Sequence, residues 1–167
     1  MRLTILIATA LFLAASAAGA ADAPRRKSGL WEITNTMGGS HPMSNTMQQC
    51  VDEKTDKLTE QGGRRDAEKL CSKNDIKREG NKVISDSVCK VDKTTATTHA
   101  EFSGDFGSNY RGDIRSTYNP PMSGMKEMQM IITAKWLGPC KPGQKPGDIV
   151  MPGGMKFNPQ DYQNRAK

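Results

Sequence analysis

Four cysteines, Cys50, Cys71, Cys89 and Cys140, are the residues whose type and spacing speak most directly of chemistry. A thioredoxin-like redox site needs C-x-x-C, and a zinc site needs close pairs. The cysteines are too widely spaced for either. Their even number instead predicts two structural disulfides in an oxidising compartment. Three pairings exist on paper. If the segment CSKNDIKREGNKVISDSVC is a hairpin turning at Gly80, Cys71 and Cys89 lie at equal distances from that glycine and face each other. Cys50 is then left for Cys140. The rival is Cys50–Cys71 with Cys89–Cys140.

The second possible chemistry is soft-metal binding. The stretch GGSHPMSNTM (Gly38–Met47) sets His41, one of two histidines, beside Met43 and Met47, two of ten methionines. Thioether sulfur is a soft ligand that suits Cu(I), and histidine can join it. On a strand Met43 and Met47 would share a face, and a turn could bring Met37 close. His41, Met43 and Met47 are therefore the candidate metal ligands. The competing reading is a Met-rich connection, because methionine also fills irregular gaps in a thin core. No cofactor is expected.

Catalytic patterns are sparse. There is no G-x-S-x-G elbow and no H-E-x-x-H. His41 and His99 have no nucleophile or carboxylate that the sequence can place beside them. Acidic pairs such as Asp52-Glu53 read as surface and capping residues. The expectation is a chain that is not an enzyme. The tripeptide Arg111-Gly112-Asp113 lies inside a strand pattern and reads as a chance occurrence of an adhesion motif.

The elements that must position these residues are mostly strands. SGLWEITNTM (residues 28–37) alternates, with Trp31, Ile33 and Met37 on one face. SNTMQQCV (residues 44–51) is a second strand. Residues 52–70 form a short helical insertion, capped by Asp52, broken at Gly62-Gly63 and poor in apolar residues, so it belongs on the surface. The Cys71–Cys89 hairpin follows. Residues 94–104, 108–119 and 126–138 are three more strands. Met128, Met130, Ile132, Ala134 and Trp136 share one face of the last. The fold class is mainly β: a single antiparallel meander forming a curved sheet, small barrel or sandwich. Trp31, Ile33, Met128, Met130, Ile132 and Trp136 are its candidate ligand-facing residues.

Residues 1–20 have the layout of a secretory signal peptide. Arg2 precedes an apolar run, and Ala18-Gly19-Ala20 is a small-x-small cleavage site. The run is short for a spanning helix, and no later segment is long and apolar enough to be one. Cleavage leaves 147 residues (167 minus 20), enough for one domain. Residues 21–27 read as a flexible N-terminus, 28–140 as the β domain, and 141–167 as a disordered, basic, Pro/Gly-rich tail. The chain carries 24 basic and 18 acidic side chains. The positive balance is dispersed and belongs to a solvated surface, so no nucleic-acid partner is expected.

With Gly29-Leu30-Trp31-Glu32, Gln49-Cys50-Val51, the mid-chain Cys-to-Cys hairpin and Leu137-Gly138-Pro139-Cys140 in view, residues 28–140 resemble the DUF3617 family of exported bacterial proteins of unknown function. The resemblance implies a mainly β domain, a periplasmic location and a Met/Pro/Gly-rich loop after the first strand. It implies no activity. Together these readings suggest a non-enzymatic envelope protein that binds a small apolar ligand or a partner protein. Soft-metal binding through the Met/His loop is the alternative.

Overall fold

The computed structural model describes residues 24–39, 42–56, 58, 67–159 and 161. The strands are β1 (Gly29–Met37), β2 (Met43–Val51), β3 (Cys71–Glu79), β4 (Lys82–Val91), β5 (Thr94–Gly104), β6 (Asn109–Met122), β7 (Met125–Gly138), β8 (Ile149–Val150) and β9 (Lys156–Phe157), with helix α1 (Ala67–Leu70) before β3. They form one antiparallel sheet in the order β3-β4-β5-β6-β7-β1-β2-β8-β9. The sheet does not close, so of the three forms the sequence allowed, it is an open sheet. Strand β1 is central because β7 returns to pair along its free edge, from Leu30↔Gly138 to Met37↔Met130.

The β3–β4 hairpin forms as the sequence predicts, by a less direct route. Its turn is Gly80-Asn81, which sets Glu79 opposite Lys82. Gly80 has φ +62°, the left-handed region that such short turns require. Uninterrupted, that register would set Ser72 opposite Cys89. A shift between Cys71 and Lys73 absorbs one residue, so Cys71 faces Cys89. The disulfides are Cys71–Cys89 and Cys50–Cys140, with Cα separations of 3.8 and 5.4 Å. The rival pairing is thereby excluded.

Side chains alternate across the sheet, giving an apolar face and a polar one. The core on the apolar face joins Trp31, Ile33, Val83, Phe102, Tyr110 and Ala134. Gly112, the middle residue of the R-G-D tripeptide, sits on this face beneath Phe102. A Cβ there would lie 2.7 Å from the ring, so the glycine makes room for an aromatic from the neighbouring strand. Arg111 and Asp113 point to the other face and bind each other (Nε to Oδ2, 2.9 Å).

Residues 24–27, expected to belong to a flexible N-terminus, instead form with Ser28 a strap across one end of the apolar face. Both indoles hold it: Trp31 Nε1 donates to Lys27 O (2.8 Å) and Trp136 Nε1 to Ser28 O (3.1 Å). Lys27 N donates to Phe106 O, and its ammonium lies 3.8 Å from the centre of a Trp136 ring. Gly29, at φ +137°, lets the strap turn into β1. A Cβ there would run into Gly138 O and the Trp136 indole. Arg26 is fully buried and ion-pairs with Asp56 (Nη2 to Oδ1, 2.7 Å). Leu58 also joins the core, although its segment was expected on the surface. Asp52 accepts from Lys54 N (3.3 Å) and Thr55 Oγ1, capping a turn rather than a helix. The only described α-helix of the 52–70 insertion is α1.

The tail is likewise ordered over residues 141–159, contrary to the disorder its composition suggests. Polar anchors replace the missing apolar ones. Cys50 N donates to Asp148 O, and Gly147 N to Cys50 O. The Asp148 carboxylate is buried and accepts from Lys156 Nζ (2.8 Å), Lys145 N (3.0 Å) and Asn158 Nδ2 (3.0 Å). Burial pushes its pKa up, but these donors outweigh burial and bring it down to about 2 from an ordinary 3.8. A lowered folded pKa gives stability that is present above the unfolded value and lost as pH falls through the folded one. Amide signals of Cys50 and Gly147 should therefore report release of the tail between about pH 4 and pH 2. Asp148→Asn should dock the tail more weakly at neutral pH and remove most of that pH dependence.

Candidate functional site

The two ends of the apolar face differ in how they are covered. At the strap end Trp31 and Ile33 are 0% and 2% exposed. Arg26 closes this end. Its Nε and Nη2 bind Asp56, and its Nη1 reaches Gln49 Oε1 (3.1 Å) and Tyr110 OH (3.5 Å). Burial alone would lower the Arg26 pKa, but the Asp56 hydrogen bond and charge raise it above its ordinary value. Burial raises the Tyr110 pKa against the opposing pull of Arg26, so the phenol stays neutral. Tyr110 stacks on Phe106 (5.9 Å between centroids) and tilts against Trp31 (5.7 Å). Trp31 and Ile33, predicted to face a ligand, are therefore sealed core.

The other end is open. Met37 is 40% exposed and Met43 69%. Met128, Met130, Ile114 and Ile132 are half-buried. Strand register explains why these residues meet. Ile114 pairs with Met130 across β6–β7, Met130 with Met37 across β7–β1, and Met37 with Met43 across β1–β2. Cross-strand partners share a face, so this is one continuous row. Three of the predicted ligand-facing residues, Met128, Met130 and Ile132, lie in this half. Trp136 is at the strap end, half-buried under Lys27.

The predicted metal ligands do not come together as expected. Met43 and Met47 share a face, but Met47 pairs with Ile33, four residues along the strand from Met43. At about 3.4 Å per residue that separates them by roughly 14 Å. His41 lies outside the described residues. Met37 does lie beside Met43, and Met130, predicted to face an apolar ligand, is the third member of that row. Among the described residues no group of three His, Cys, Asp or Glu side chains could hold a metal ion. His99, on the polar face, binds Asp86 through Nδ1 (2.7 Å). That hydrogen bond holds the Asp86 carboxyl below its usual range.

An open depression of about 440 Å³ lies at the strap end, beside the Cys50–Cys140 bridge, lined by Ser28, Gly29, Cys50, Trp136, Cys140 and Pro146 among others. Of the predicted ligand-facing residues it includes Trp136 alone. No helix among the described residues is long and apolar enough to cross a membrane.

These features define a disulfide-stabilised antiparallel β domain with a half-covered apolar face. The family model of DUF3617, a protein family of unknown function, matches residues 26–140, and the chain belongs to that family. The match runs from the buried Arg26 to the bridged Cys140, which lie at the same, strap end of the sheet. Comparison with curated proteins and with solved structures gives no match.

Proposed function

We propose that the protein is a non-enzymatic binding protein of the bacterial envelope, exported by its N-terminal segment, and that the open half of its apolar face takes up the apolar group of a small molecule or of an envelope protein. One observation carries the reading: a single sheet face is sealed at the strap end and left accessible at the methionine end. Flexible, polarisable methionines suit surfaces that adapt to apolar partners, and an accessible apolar patch rimmed by polar residues marks interaction sites. The two disulfides support an oxidising compartment.

The test is the uncharged probe Nile red. The folded, oxidised protein should raise and blue-shift its emission. Met37→Ser with Met130→Ser should remove most of that gain while lowering the urea midpoint only modestly, because Met37 is already 40% exposed and Met130 only half-buried. Undiminished emission from the double variant would sink the reading. Mass spectrometry of an organic extract of the purified protein separates the two sources, since only a small ligand would be carried along.

A further inference from the structure

We infer that Met37, Met43 and Met130 form a thioether site for a soft monovalent cation, Cu(I) or Ag(I), at the open corner of the apolar face. The inference is independent of apolar binding at that face. Its basis is register. Met43↔Met37 and Met37↔Met130 are direct cross-strand pairs on three adjacent strands. Neighbouring strands lie about 4.8 Å apart, so Met37 has a thioether neighbour at one strand spacing on either side. Methionine carries its sulfur on a flexible three-bond arm, which lets the outer two lean over the central one. The corner is reachable, since Met43 and Met37 are 69% and 40% exposed.

The surroundings favour a cation held by sulfur alone. Asn35, Asn45, Ile114 and Ile132 are the register neighbours, and none brings a positive charge to repel it. Met128, the next methionine on β7, is already engaged, with the Tyr118 hydroxyl donating to its sulfur (3.9 Å). No described cysteine is free, so no thiolate competes for the ion. Thioethers are neutral and do not titrate near neutrality. The site should therefore hold its affinity down to mildly acidic pH, where a histidine site would lose it to protons.

Disulfide-intact protein is titrated anaerobically with Cu(I) against a chromophoric chelator, with ascorbate as reductant so that the bridges survive. A single equivalent should be retained, with affinity flat between about pH 5.5 and 7.5, the range over which histidine would change charge. Met37→Leu, Met43→Leu and Met130→Leu should each weaken binding at least about as much as loss of an outer-shell partner, roughly 10–100-fold. Met47→Leu, which leaves all three thioethers in place, should match the wild type. Leucine conserves volume, so the fold should persist, and near-ultraviolet circular dichroism checks it. Methyl-labelled protein should show the ε-methyl signals of these three residues shifting together at one equivalent of Ag(I). Failure to compete with the chelator, wild-type affinity in Met37→Leu, equal loss in Met47→Leu, or affinity that falls steeply below pH 6.5 would each overturn the site.

Discussion

Arg26→Ala is expected to destabilise the domain by about 3–5 kcal/mol, the cost of removing one member of a buried ion pair. The side chains of Arg26 and Asp56 are 1% and 3% exposed. Without the guanidinium, the buried Asp56 carboxylate loses its counter-charge, although the backbone N–H of residue 26 still donates to it (2.9 Å). Gln49 and Tyr110 also lose a hydrogen-bonding partner. Native domains hold only about 5–15 kcal/mol, so this single change takes a large share of the total. Urea unfolding followed by tryptophan fluorescence measures it, because Trp31 and Trp136 both grip the strap. A companion variant separates ionic from packing effects. Arg26→Met with Asp56→Leu removes both charges and keeps most of the volume, and it should recover most of the loss. If Arg26→Ala costs less than about 1 kcal/mol, as an exposed pair would, then Arg26 does not close this end of the core.

The second large effect concerns the disulfide that joins β2 to the residue two beyond the end of β7. Cys50 and Cys140 are separated by 90 positions and Cys71 and Cys89 by 18. Loss of loop-closure entropy from the unfolded chain scales with the logarithm of loop length. The longer bridge should contribute about 4–5 kcal/mol and the shorter about 3 kcal/mol. Cys50→Ser with Cys140→Ser should therefore lower the urea midpoint more than Cys71→Ser with Cys89→Ser. The reverse order would show that native geometry at the β3–β4 bridge outweighs chain entropy.

Much of this was legible in the amino-acid order, because it is local. The alternation in residues 28–37 and 126–138 locates β1 and β7 and assigns their faces. The Gly80 turn and the count of residues on either side give Cys71–Cys89, and Cys50–Cys140 follows. Cys71 faces Cys89 because the irregularity at Ser72 offsets the two-residue turn at Gly80-Asn81. Composition misled where polar contacts replace apolar ones. The strap is held by an arginine and two indole N–H donors, and the tail by a buried aspartate. Neither leaves an apolar period to read.

Taken alone, the chain order determined a mainly β domain with two disulfides, its strand faces and its family, since side-chain alternation and turn chemistry act over a few residues. Tertiary structure decided which methionines meet. Met37 and Met43 are joined by a short loop, but Met130 reaches them only because β7 pairs with β1 in one register. A shift of one residue would have turned Met130 to the polar face. The stretch Gly38–Met47 looked like the site because its residues are close in sequence. The sheet instead takes two donors from that neighbourhood and the third from β7, far along the sequence but adjacent in the sheet.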